Sequence, residues 1–189
     1  NLILRLAGGS FGGKGRGIAF INTLLQTKEL FEGIEGATLR IPSTAIIGIE
    51  EFDNFISRNS LSKIYLKHSH DEVKKIFLKK ELSDELISKL KIFVRRVNVP
   101  LAVRSSGMYE DSISESFSGI YQTYLIPNNH PSDEERLKNL TDAIKLVYAS
   151  IYSKYARSYF EAINYRMDDE KMAVVIQEIA GNNFGDVFF

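Results

Sequence analysis

The 189-residue chain contains no cysteine. That excludes disulfides, thiolate metal centres and cysteine nucleophiles, and it fits an intracellular, cytoplasmic protein. The chain also lacks net charge, because 24 Lys and Arg balance 24 Asp and Glu. No global field draws in nucleic acid or an anionic membrane, so any anion site must be local. Histidine is scarce: His68 and His70 form a spaced pair in a polar segment, and His130 stands alone. These are too few convergent ligands for a metal centre. No apolar run is long enough to cross a bilayer, and no secretory leader is visible. Internal repeats and low-complexity tracts are missing too. What remains has an ordinary globular balance, sized for one domain or two small subdomains. Because it starts at Asn1 and runs out on Asp186-Val-Phe-Phe189, which reads as a strand cut in mid-course, the chain is expected to be a segment of a longer polypeptide.

What is present is a mixture of strand and helix signals in irregular order. An apolar stretch, residues 2–7, leads into a glycine-dense loop, residues 8–17, that opens into a helix carrying Ile18, Ile21, Leu24 and Leu25 at helical spacing. Gly33 to Gly36 read as a turn, and residues 44–48 as a strand. From about residue 50 to 97 the pattern turns helical, with Ser83 capping a helix whose apolar face holds Leu86, Ile87, Leu90, Phe93 and Val94. The lysines of this region alternate with Glu and Asp, which marks a solvated helix surface. Two strands are expected next, at residues 101–103 and 120–126. Ser132 with Glu135 then sets up a capping box for a long helix reaching about Ser150. A further helix runs to about Ile163, and residues 172–179 form a near-continuous buried strand followed by a final turn and strand. Extended pieces near positions 45, 102, 122, 175 and 187, interleaved with helices, imply an α/β or α+β domain built on a mixed sheet.

Four constellations could carry chemistry. The glycine loop with Lys14 suits an anion, since glycines admit close backbone approach and the following helix directs its positive dipole end at the loop. It does not fit the Walker spacing, and a plain glycine-rich turn remains open. Arg104, with Ser105 and Ser106, ends the strand at 101–103; its planar, non-titrating fork suits phosphate, although a pairing with Glu110 or Asp111 would serve structure instead. Gly119 and Thr123 stand four apart on the next strand, where the glycine could equally be a bulge. Gln177, Glu178 and Ile179 close the buried strand, either where it surfaces or where a purine edge is read.

In this order the four pieces resemble the nucleotide-binding amino-terminal domain of the phosphoenolpyruvate synthase and pyruvate, phosphate dikinase family. That domain is of the ATP-grasp class and is shared with rifampin phosphotransferase and glucan, water dikinase. The residues that carry the resemblance are Gly12-Gly-Lys-Gly15, Ala102-Val-Arg-Ser-Ser106, Glu110-Asp111, Ser116-Phe-Ser-Gly119 and Thr123-Tyr-Leu125. Further matches are Val147-Tyr-Ala-Ser-Ile151 with Ala156-Arg157, Val174-Val-Ile-Gln-Glu-Ile179 and Gly185-Asp-Val-Phe188. Departures are Gly107-Met-Tyr for the usual Ala-Thr-Ala, Tyr148 for Trp and Glu178 for Lys. Residues 50–97 fall outside the resemblance and read as a helical insert or subdomain.

The resemblance implies an ATP-grasp-like domain, a mixed sheet flanked by helices, in which residues 1–189 form only part of the unit. It implies that Lys14 and Arg104 contact ATP phosphates as the catalytic pair, with Ser105 beside them. Gly119 and Thr123 would line the phosphate and ribose channel, and Gln177, Glu178 and Ile179 the adenine end. ATP and Mg²⁺ are the implied cofactors, with the metal ligands beyond residue 189 and none in this segment. The implied partners are a phosphohistidine domain of the same full-length chain, pyruvate in another domain and a second copy in a homodimer. The implied activity is ATP-dependent phosphoryl transfer to that histidine and on to pyruvate. A related dikinase with another acceptor and a non-catalytic nucleotide-binding module are the alternatives.

Overall fold

In a computed structural model the chain is described over residues 3–27, 41–108, 119–185 and 187–188. Its centre is a five-stranded mixed sheet of β1 (Ile3–Ala7), β2 (Thr44–Ile47), β3 (Leu101–Gly107), β4 (Thr123–Ile126) and β5 (Met172–Glu178). The spatial order is β1-β2-β5-β3-β4. β1 and β2 run parallel, while β2–β5, β5–β3 and β3–β4 are antiparallel. The strand latest in sequence is thus the central one, and it is the most apolar: Met172 through Ile176 are fully buried. A small hairpin, β6 (Asn183–Phe184) and β7 (Val187–Phe188), stands apart from the main sheet.

The helices are α1 (Gly12–Thr27), α2 (Ile49–Arg58), α3 (His70–Leu78), α4 (Asp84–Arg96), α5 (Asp133–Ala149) and α6 (Lys154–Ala162). Side chains alternate across a sheet, so one set of strand residues meets the core. That set is Leu101, Val103, Met172, Val174, Ile176, Ala45 and Ile47, joined to Phe52, Phe55, Val73, Phe77, Leu86, Leu90, Phe93, Leu140, Ile144 and Val147 in one continuous cluster. Helices α2, α3 and α4, which cover most of residues 50–97, therefore build the same core as the sheet. Its aromatic centre is Tyr148, which meets Phe52 edge-on at 5.1 Å and Phe55 at 5.6 Å. Burial among these rings, with Glu51 and Asp53 nearby, pushes the Tyr148 hydroxyl well above the ordinary tyrosine range.

Long cationic side chains fasten main-chain carbonyls in the helical layer. Lys145 donates to Leu78 O at the end of α3 (2.9 Å), Lys89 to Leu6 O (2.9 Å) and Arg136 to Val97 O (3.3 Å). Arg157 holds three carbonyls, of Tyr152, Tyr65 and His68. Such bonds satisfy groups that helix ends and turns leave without partners. Ser83 caps α4 as expected, accepting from Leu86 N, while the buried Glu51 carboxylate accepts from both the N–H and the hydroxyl of Ser83.

Three expectations change. The helix begins at Gly12, so residues 12–17 of the supposed glycine loop are helical. The strand expected over 120–126 starts only at Thr123, because Gly119 and Ile120 form a turn. At α5 only half of the capping box forms: Ser132 Oγ accepts from Glu135 N, but the Ser132 N–H goes to His130 Nδ1 at 3.1 Å. The complete box lies at α3, between Ser69 and Glu72. The turn expected at Gly33 to Gly36 lies outside the described residues. No helix among the described residues is long and apolar enough to cross a membrane.

Candidate functional site

The face of the sheet away from the main core carries the polar residues. The unbroken register of β3 against β5 sets Ala102 opposite Gln177, Arg104 opposite Val175 and Ser106 opposite Ala173. Across the other neighbours, Arg104 pairs with Thr123 and Gln177 with Thr44. Arg104, Ser106, Gln177, Thr44 and Thr123 therefore share one face. A row of side chains crosses three strands there. Arg104 Nη1 donates to Gln177 Oε1, and Gln177 Nε2 donates to Thr44 Oγ1, each at 3.4 Å. Thr44 in turn donates to Pro42 O at 2.8 Å. Two of these contacts are at the long end of hydrogen bonding, which leaves the half-buried Arg104 fork loosely held.

The first turn of α1 covers the other end of this face. Ser106, fully buried, donates its hydroxyl to Phe11 O at 2.7 Å and accepts the Gly15 N–H at 3.0 Å. Gly12 sits so close that a Cβ would lie 2.0 Å from the Ser106 carbonyl oxygen, and its φ of +68° is itself glycine territory. A Cβ on Gly15 would lie 2.8 Å from the Phe11 Cβ, within the turn itself. Gly12 thus lets the helix end approach the sheet, and Lys14 rides on that same first turn. Lys14 and Arg104 consequently come from two elements that Ser106 joins.

The other expected residues divide. Thr123 starts β4 beside Arg104 and is exposed on the shared face. Gly119 has φ +77° and open space where a Cβ would stand, so it is a turn residue and not a strand bulge. Ser105, next to Arg104 in sequence, points to the opposite, core face and is 2% exposed. The N–H groups of Glu178 and Ile179 donate to Ser43 O and Pro100 O, both at 2.9 Å, and the Glu178 carboxylate accepts from Ser43 N. Those two donors are engaged within the fold, which leaves Gln177 as the side chain of the three that faces the row. Beside Ile179 opens a cavity of about 620 Å³ lined by Pro100, Leu125, Pro127 and Phe188, within the usual range for small-molecule sites. Glu110, Asp111, Ser116, Phe117 and Ser118 lie outside the described residues. Sequence reading missed Thr44, and of the two serines beside Arg104 it set Ser105 rather than Ser106 among the binding residues. The signal for Ser106 was present, since period-two alternation puts residues 104 and 106 on one face and 105 on the other.

Among the described residues no group of three or more His, Asp or Glu could hold a metal ion.

The sequence model described as "Pyruvate phosphate dikinase, AMP/ATP-binding domain" matches residues 9–189. A Bacillus subtilis protein named uncharacterized phosphotransferase YvkC is 36% identical over 112 residues, 58% of this chain and 12% of its own length. A phosphoenolpyruvate synthase of Aeropyrum pernix is 34% identical over 89 residues, 47% of this chain and 10% of its own. The chain spans about a tenth of the length of these relatives.

Proposed function

The chain belongs to the pyruvate phosphate dikinase AMP/ATP-binding domain family, and from that premise we propose that it is the ATP-binding part of a dikinase-type phosphotransferase. In this reading the phosphoryl group passes from ATP to a histidine on a separate domain of the full-length protein and then to pyruvate. The single observation that supports it most is the shared face: Arg104, Thr123 and Gln177, separate in sequence, stand in one patch next to the first turn of α1 that carries Lys14.

Phosphoryl transfer asks the protein for positioning and charge neutralisation more than for covalent help. Arg104 offers a fork that grips two phosphate oxygens and keeps its charge at any physiological pH. Its loose contact with Gln177 allows it to exchange an amide oxygen for a phosphate oxygen. Lys14 adds a compact charge beside the positive end of α1, the arrangement that favours anions at helix starts. Thr123 and Gly119 flank the sugar-phosphate path, and Gln177 with the segment at Glu178 and Ile179 marks the adenine end, next to the cavity at Pro100 and Leu125. Ser105 contributes through the strand that presents Arg104. We place residues 1–189 as part of an ATP-grasp unit with residues 50–97 as its helical elaboration. In this proposal the magnesium ligands lie beyond residue 189. The full-length protein is placed in the cytoplasm, as a homodimer.

The test uses the full-length protein and ATP labelled in its β and γ phosphates. The expected result is an acid-labile, base-stable phosphoprotein that is discharged by pyruvate and absent from Arg104→Ala. Absence of any such label in the wild type rules out the histidine route. Label that persists in Arg104→Ala removes Arg104 from the site, and label that pyruvate fails to discharge points to another acceptor.

A further inference from the structure

We infer that Ser106 is a positioning residue for ATP, setting the first turn of α1, and with it Lys14, against the strand that carries Arg104. The inference rests on the ATP-binding reading and adds a residue to it.

The first four N–H groups of any helix lack partners within the helix. In α1 they belong to Phe11, Gly12, Gly13 and Lys14, and Gly15 follows them. Ser10 Oγ accepts the Gly12 N–H at 3.3 Å, as a local cap does. The Gly15 N–H is taken by Ser106, a residue on another element and 91 positions away. The same hydroxyl donates to Phe11 O, just before the helix. One oxygen therefore both donates and accepts across the junction where chain turns into helix, which fixes the helix start in position as well as in direction. Gly12, too close to the Ser106 carbonyl for any Cβ, closes the joint from the other side.

Arg104 and Ser106 are two residues apart on the same face of β3. The strand backbone thereby sets the spacing between the guanidinium and the joint. Lys14 lies within the turn that the joint holds, so Ser106 governs the separation of the two cations that the ATP-binding reading assigns to phosphate. A ligand bridging both cations depends on that separation, since small displacements of positioning groups have large effects on phosphoryl transfer.

The experiment is a double-variant cycle in the full-length protein, with steady-state kinetics in ATP and thermal melting of each variant. Ser106→Ala should fold, raise KM for ATP about tenfold, as expected for loss of a buried bridging hydroxyl, and lower kcat less. Lys14→Met should raise KM as well. The variant carrying both should be no worse than Lys14→Met alone, because Ser106 acts through Lys14. A structural role alone predicts additive losses in the cycle, and additivity overturns the inference, as does an unchanged KM in folded Ser106→Ala. If the alanine variant does not fold, Ser106→Cys, which keeps the volume and a weak donor, enters the same cycle with the same two outcomes. Should Lys14→Met and Arg104→Ala both leave KM and kcat unchanged, the ATP-binding reading itself falls. That result is distinct from the case in which those two variants are impaired and Ser106→Ala is not.

Discussion

Along β3 and β5 successive side chains enter two different environments. Leu101, Val103, Met172, Val174 and Ile176 meet a layer of helices and are wholly excluded from water. The residues between them, Ala102, Arg104, Ser106, Ala173, Val175 and Gln177, look the other way. There the cover is partial: the first turn of α1 lies over Ser106, while Arg104 and Gln177 remain half-buried and Thr123 exposed. One face is closed by volume and the other is held by a few directed bonds. A substitution on the first face should therefore act on stability, and one on the second on ligand handling, even for neighbours in sequence.

The largest test of this division is Arg104→Ala in the full-length protein. Turnover with ATP should fall about a hundred- to a thousandfold, the range for removing one preorganised charged contact, with a melting temperature close to wild type. A destabilised protein with normal turnover would reverse the assignment of the faces. The counterpart is Ile176→Ala, where a cavity under α2 and α5 should cost about 2–5 kcal/mol by denaturant unfolding. The folded fraction should retain the wild-type KM for ATP.

The two serines give the sharpest contrast. Ser105→Ala, on the core face, should change stability by about 1 kcal/mol and leave the KM for ATP alone. Ser106→Ala should raise the KM for ATP about tenfold. If both variants shift KM equally, alternation across β3 does not separate the faces.

The smallest effect concerns pH. Hydrogen bonds from the N–H and hydroxyl of Ser69 hold the Glu72 carboxyl below its ordinary value of 4.5. A lowered folded value means that this stabilisation is complete above the unfolded carboxyl value and is lost as pH falls through the folded one. Asp133, lowered by its bond from Arg136, behaves likewise. Both lie in the helical layer, away from the face that carries Arg104. Melting temperature should drop more steeply below about pH 4.5 in wild type than in Glu72→Gln. Parallel profiles would show that the capping box at α3 contributes nothing to acid sensitivity.

Much of this organisation was legible in the sequence. The apolar run at 172–176 and the helical spacing of residues 137–151 follow from periodicity and appear where they were expected, whereas the strand expected to end at Val103 runs on through Arg104 to Gly107. The start of α1 was hidden because residues 12–17, with four glycines in six positions, read as loop by propensity. What overrides propensity is a tertiary bond from Ser106, which no local window contains. Ser106 stands out only once the two-residue pleat is followed, which sets it on the face of Arg104 and Ser105 on the other. The half-formed box at Ser132 failed for a similar reason: His130 is a competing acceptor that the four-residue motif does not include.

The position of β5 also governs how this chain can come together as it is made. Before Met172 is synthesised, β1 with β2 and β3 with β4 are two separate ribbons, each too small to persist in water. Only the arrival of β5 between them joins the pairs into a sheet. Until then β2 and β3 offer unpaired edges, the kind of surface that invites wrong pairing during synthesis. The α1 joint must wait as well, since the serine that fixes it sits on one ribbon and the helix follows a strand of the other. The face that carries Arg104 and Gln177 thus takes its frame from β5, and a chain halted short of that strand would hold its parts on two ribbons that no sheet joins.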